Sequence, residues 1–192
     1  MTGVIRGVLL AAGAGSRLGA PKALMRNLVT GEPWIASGVR MLQDAGCHGV
    51  LVVLGAEADA AFGLVPPSAE AVVAEDWSTG LSASLRTGLR AAEAHSGDAV
   101  LVSLVDLPGL PAAVGRRVIG RVVHGPDDDL PHALARAVFG GRPGHPVLIG
   151  RAHWHAISES IAGDAGAGSW LADHDALRVE CGDLADGLDI DA

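Results

Sequence analysis

Short apolar runs recur along the chain: GVLLAA (7–12), GVLVVLG (49–55), AEAVVAE (69–75), DAVLVSLVD (98–106) and HPVLIG (145–150). The second and fourth lack polar alternation, as expected of strands buried on both faces of a parallel sheet. Between the runs the apolar period changes. PWIASGVRMLQDAG (33–46) sets Ile35, Val39 and Leu42 on one stripe and stops at Gly46. GLSASLRTGLRAAEA (80–94) aligns Leu81, Leu85, Leu89 and Ala92, and PAAVGRRVIGRVV (111–123) repeats the helical spacing. Strand alternating with helix predicts a three-layer α/β/α, Rossmann-like fold with a mostly parallel sheet. Residues 124–144, rich in Gly, Pro and Asp, read as irregular. No repeat or linker divides the chain, so residues 1–192 are expected to form a single domain.

Composition sharpens this picture. Hydrophobic residues make up 49% of the 192, but alanine supplies much of that share, glycine adds a further 27 small residues and tyrosine is absent. Small-residue helices lying close on a sheet are the expected consequence. A net charge of -8 argues against nonspecific binding to nucleic acid or an anionic membrane, since both need basic surface. No run reaches the roughly 18 apolar residues of a membrane span. Cys47 and Cys181 form neither a disulfide framework nor a zinc ligand set, so a reduced cytoplasm is the expected location.

The candidate chemistry begins in VLLAAGAGSRLGAPKALM (8–25), an apolar strand running into a glycine-rich loop. Glycine permits positive φ and close backbone approach, and free N–H groups there suit a phosphate. A Walker A loop is excluded, because Lys22 is followed by Ala23 and not by Ser or Thr. Gly13, Gly15 and Gly19 form GxGxxxG, which approaches a dinucleotide fingerprint. That fingerprint wants an acid after the second strand, and the nearest, Glu57, lies far along the chain. A short-chain dehydrogenase would also need a tyrosine. The remaining reading uses the cations. Arg17 would grip the β- and γ-phosphates of a nucleoside triphosphate, and Lys22 would meet the charge that grows in the transition state. A tight turn with two solvated cations is the plain alternative.

LAAGAGSRLGAPK resembles the signature of the MobA-like NTP transferases, the nucleotidyltransferases that make molybdenum-cofactor dinucleotides. Four further segments are similar to that family and follow in its order: EDWSTGLSASLRTGL (75–89), VSLVDLPGL (102–110), GRPGHPVLIG (141–150) with GDAGAGSWL (163–171), and LDIDA (188–192). Within the family the chain is most similar to the molybdenum cofactor cytidylyltransferase branch. The resemblance implies CTP as the favoured nucleotide, with GTP open, and Mg²⁺ as cofactor. It also implies a phosphorylated pterin, molybdopterin, as acceptor and a molybdoenzyme as downstream partner.

The resemblance carries roles to particular residues. Arg17, Lys22 and Asp106 would be catalytic. Ala11, Ala12, Gly13, Gly15, Ser16, Gly80 and Ser84, together with Arg17 and Lys22, would hold the nucleotide. Asp106 ends a central apolar run, where ligands bind in open α/β sheets, and a hard Mg²⁺ prefers such a carboxylate; capping the turn before Pro108 is its other use. Asp191 would be the second metal ligand. The family pattern continues beyond this point, so an untethered tail is expected around Asp189 and Asp191. Ser82 either caps a helix or reads a base. His145 and Asp164 would meet the acceptor, with His145 on a terminal phosphate. His153 and His155, two residues apart, share no helical face and receive no role.

The expected activity is therefore Mg²⁺-dependent transfer of a nucleoside monophosphate to a phosphorylated acceptor, with release of pyrophosphate. A related transferase with another nucleotide or acceptor, or a non-catalytic nucleotide-binding cofactor chaperone, stands as the alternative.

Overall fold

The computed structural model of the protein describes residues 3–15, 19–123 and 129–190. Thirteen elements follow in chain order: β1 (Ile5–Ala11), α1 (Trp34–Asp44), β2 (Val50–Leu54), α2 (Ala58–Phe62), β3 (Ala69–Val73), α3 (Leu81–Ala94), β4 (Ala99–Leu104), α4 (Ala112–Val123), β5 (Leu134–Phe139), β6 (Arg142–Gly150), α5 (Trp154–Ser160), α6 (Gly168–Asp173) and β7 (Leu177–Glu180). The strands form one sheet in the order β3-β2-β1-β4-β6-β5-β7. β6 is antiparallel to both β4 and β5, while the other pairings are parallel. This is the three-layer, mostly parallel α/β architecture that the alternating pattern predicts.

Each face of the sheet carries its own apolar layer. Ile35, Val39 and Leu42 of α1 pack with Val114 and Val118 of α4 on one side. Leu85 and Leu89 of α3, with Trp154 and Ile157 of α5, cover the other. β2 is buried along its whole length and β4 over all but its last residue, which accounts for their unbroken apolar runs. The small residues of the helices let them sit directly on β1. A Cβ at Gly38 would fall 2.7 Å from Leu9 Cδ1, and one at Gly88 would fall 2.7 Å from Val8 Cγ1.

The stretch 124–144, expected to be irregular, contains β5 and the start of β6. Its apolar run is broken by Arg136, so the local pattern hides a strand that the sheet completes. β7 was also missed. Three of its four residues are exposed, which leaves an edge strand without the apolar face that periodicity detects. α2, α5 and α6 span only five to seven residues, too few turns to establish a stripe. No helix among the described residues is long and apolar enough to cross a membrane.

Candidate active site

Chain order and sheet order disagree around β1, and that disagreement makes the cleft. From β1 the chain crosses to β2 through α1 on one face. It reaches β4, on the other side of β1, through α3 on the opposite face. The crevice at the carboxyl ends of β1 and β4 is thus a topological switch point, the usual ligand position in open α/β sheets. A cavity of about 520 Å³ occupies it. Its walls are Leu10 to Gly15, Lys22, Trp77, Ser78, Gly80, Leu81, Ser84, Leu104 to Asp106 and Asp164.

The glycine loop closes over this cavity because Gly15 has a φ of 61°, and a Cβ there would fall 2.0 Å from the carbonyl oxygen of Ala20. Folding back in this way returns the chain to Pro21 and a short 3₁₀ turn, Lys22–Leu24. Lys22 Nζ then donates to Asp106 Oδ2 at 2.8 Å, joining the loop after β1 to the end of β4 across 84 residues of sequence. The other carboxylate oxygen, Asp106 Oδ1, is buried with no hydrogen-bond partner among the described residues. A Cβ at Gly13 would meet nothing within 4 Å, so the loop leaves open space on that side.

The C-terminal segment reaches the same spot. The Ile190 amide donates to the Asp106 carbonyl at 3.0 Å, so the tail expected to be untethered is tied beside Asp106 up to that residue. Ser16, Arg17 and Asp191 lie outside the described residues.

The far wall is the start of α3. Gly80 has a φ of 117°, and a Cβ on it would fall 2.3 Å from the carbonyl carbon of Gly163 and 2.7 Å from the amide of Asp164. Only glycine allows the 163–164 segment to press there, and the Ser82 amide fixes it by donating to Gly163 O at 3.0 Å. The helix begins without a side-chain cap. Ser82 is fully buried, and its hydroxyl accepts from Arg86 at 3.4 Å, so it neither caps α3 nor lines the cavity. Ser84, also buried, does line it.

His145 and Asp164, joined in the sequence reading as acceptor contacts, line different cavities. Asp164 borders the first; His145 borders a second, of about 210 Å³, which shares Leu10 and Leu81 with it. Burial, reinforced by the nearby Arg136 guanidinium, pushes the His145 imidazole down to about 4. The ring is therefore neutral at pH 7, and the positive charge beside it belongs to Arg136. Arg136 Nε is buried without a hydrogen-bond partner among the described residues. Sequence reasoning missed Arg136; the available signal was a lone arginine between apolar residues in LARAVF, legible only once that segment is a strand.

Other candidates are peripheral. His153 lies in a 3₁₀ turn, its Nε2 2.9 Å from the carbonyl oxygen of His132, and His155 is exposed on α5. Among the described residues no group of three or more His, Cys, Asp and Glu is arranged to hold a metal. Glu57 follows β2 closely, in a left-handed conformation, and borders a third cavity of about 420 Å³ that shares Trp77 with the first.

Comparison with known proteins agrees with this architecture. A nicotine blue oxidoreductase of Paenarthrobacter nicotinovorans is 37% identical, the alignment covering 97% of this chain and 92% of that protein. The crystal structure of Rv0371c from Mycobacterium tuberculosis H37Rv superposes with a TM-score of 0.73 at 28% identity, over 100% of this chain and 95% of that one. A manganese complex of Rv0371c aligns with a TM-score of 0.69 at 23% identity, over 100% and 94% of the two chains, a likeness of fold. The MobA-like NTP transferase domain matches residues 7–178, and with a glycine loop, a paired lysine and aspartate and a switch-point cleft in that span, the chain belongs to this family of nucleotidyltransferases.

Proposed function

We propose that the protein transfers a nucleoside monophosphate, CMP in the first instance, from its triphosphate to a phosphate group on an acceptor. The observation that carries this reading is the Lys22–Asp106 pair at 2.8 Å on the wall of the switch-point cavity, with Asp106 Oδ1 buried and unpartnered among the described residues. An orphaned carboxylate oxygen beside a phosphate-sized loop fits a hard divalent cation, which takes one or two carboxylates and completes its shell with phosphate oxygens and water. Mg²⁺ is the proposed ion. Bound there it would neutralise charge on the phosphates, with Asp106 holding it and Asp191 as the proposed second ligand.

The acceptor phosphate, ionised at neutral pH, attacks the α-phosphorus. A new P–O bond forms to the acceptor oxygen, the bond to the bridging oxygen of the β-phosphate breaks, and pyrophosphate leaves. No general base is required, so the chain's work is positioning and charge compensation. Ala11 to Gly15 offer backbone groups to the nucleotide, Gly80 lets the wall close, and Ser84 reads the base. Lys22 exchanges part of its contact with Asp106 for the phosphate oxygens as charge develops. Arg17 is the proposed clamp on the β- and γ-phosphates. The acceptor is proposed to be a phosphorylated ring compound: the sequence resemblance points to molybdopterin, and the mostly apolar second cavity favours a ring less polar than a pterin. Cys47 and Cys181, both free thiols, suit a reducing cytoplasm.

A second reading, an oxidoreductase, is favoured by the name of the 37% identical relative and by Glu57. That carboxylate follows β2, where dinucleotide-binding folds hold a ribose hydroxyl, and its cavity shares Trp77 with the first. The deciding experiment measures pyrophosphate release with each of four NTPs and metal-loaded molybdopterin, beside NADH and NADPH oxidation with an aromatic dye as electron acceptor. Pyrophosphate release led by CTP is expected. Nicotinamide oxidation with no pyrophosphate from any NTP overturns the transferase reading.

A further inference from the structure

The second cavity is built differently from the first. Leu85, Val102, Val147, Ile149 and Leu171 give it apolar walls, and among the described residues its only ionisable side chains are His145 and Arg136. The guanidinium enters from β5, its Nη2 3.5 Å from the Gly144 carbonyl, while its buried Nε has no partner among the described residues. Leaving a buried donor unmatched is costly, and such a group in a cavity marks where a ligand acceptor belongs. At about 210 Å³ the space exceeds the roughly 150 Å³ apolar cavity that takes up benzene, so it has room for a fused pair of rings. Leu10 and Leu81 line both cavities, which sets the occupant of the second beside whatever the first one holds.

We infer that this cavity is the ring pocket of the second substrate, and that it takes a flat aromatic ring system with an apolar edge and one anionic or oxo group directed at Arg136. The inference rests on the nucleotide occupying the first cavity and narrows the chemistry of what stands beside it. Apolar walls reward burial of ring carbon, and a single desolvated guanidinium rewards one matched acceptor. A ring with hydrogen-bonding atoms around its whole edge, as in a pterin, would bury several of them against leucine and valine without partners, which costs affinity.

The test uses three small carboxylates on the full chain: 2-naphthoate, cyclohexanecarboxylate and pterin-6-carboxylate. Binding is followed by calorimetry and by methyl shifts in leucine- and valine-labelled protein. The expected result is saturable 2-naphthoate binding, with ring-current shifts at Leu85, Val102, Val147 and Leu171. Cyclohexanecarboxylate should bind at least fivefold and pterin-6-carboxylate at least tenfold more weakly. Arg136→Met should weaken 2-naphthoate at least tenfold, with an unchanged far-ultraviolet spectrum as the check on folding. Absence of 2-naphthoate binding at millimolar concentration, shifts elsewhere, a tighter pterin, or indifference to Arg136→Met in a folded variant each overturns the inference. A melting shift with CTP and Mg²⁺, measured in parallel, tests the nucleotide reading on its own. Losing that shift while 2-naphthoate binds sinks the transferase and spares the pocket.

Discussion

Acidification should destabilise this protein through His145 before most carboxylates titrate. In the folded chain burial, and then the neighbouring Arg136, push the imidazole from 6.5 to about 4. Between those values the unfolded chain binds a proton that the folded chain refuses, so stability falls as pH falls. Above about pH 7.5 the contribution is flat. At pH 5.5 the loss amounts to about 1.4 kcal/mol, and near pH 4 it reaches about 3 kcal/mol, from a shift worth roughly 1.36 kcal/mol per pH unit. The assay is urea unfolding of the wild type and His145→Gln at about pH 7.5, 6.5, 5.5 and 4.5, compared at equal m-value. The wild type should lose stability across this window and the variant should lose less by these amounts. Glu32, Glu180 and Asp183, whose carboxyls are held below their ordinary range by hydrogen bonds from Arg40, from backbone amides and from Arg117 respectively, contribute equally to both proteins and cancel. Parallel curves for the two proteins between about pH 7.5 and 5 would refute the reasoning, because the imidazole would then be free to protonate in the folded state. Among the described residues, Arg136 would then no longer be the sole charge of that pocket.

Asp106→Asn should cut kcat/KM at least a hundredfold, about 2.7 kcal/mol, because it removes the carboxylate charge that pairs with Lys22 and the proposed metal ligand at constant volume. Activity retained within about tenfold in steady-state pyrophosphate release would remove Asp106 from the centre of the site. Lys22→Ala should lower kcat by on the order of a hundredfold with little change in KM. A rise in KM alone would make Lys22 a ground-state clamp. Gly80→Ala should cost about 2–4 kcal/mol in thermal or urea unfolding, because the new methyl meets Gly163 at 2.3 Å in a left-handed backbone. A Tm within about 1 °C of the wild type would show that the 163–164 segment yields at little cost.

About half of this molecule is written in local signals along the chain. Unbroken apolar runs marked β2 and β4, because a strand covered on both faces needs apolar residues at every position. Helical stripes marked α1, α3 and α4, because each buries one face on the sheet. Glycines, Lys22 and Asp106 were legible at element ends for the same reason, since a turn with positive φ and a charge at a strand terminus are properties of neighbours in the chain. The rest depends on contacts between segments far apart in the chain. The reversal of β6 and the insertion of β5 and β7 beside it depend on pairing across distant segments, and they carry Arg136 from an unremarkable stretch to the wall of a cavity. Ser82 and Ser84 differ by two residues in one helix, yet one turns to Arg86 and the other to the cleft, a distinction set by what packs against α3. The resemblance joined His145 and Asp164 as acceptor contacts, and the fold divides them between two cavities that meet at Leu10 and Leu81. The electrostatics followed the same rule: the positive charge at the second cavity resides on Arg136 and not on His145, because burial, which no local pattern reports, keeps the imidazole neutral.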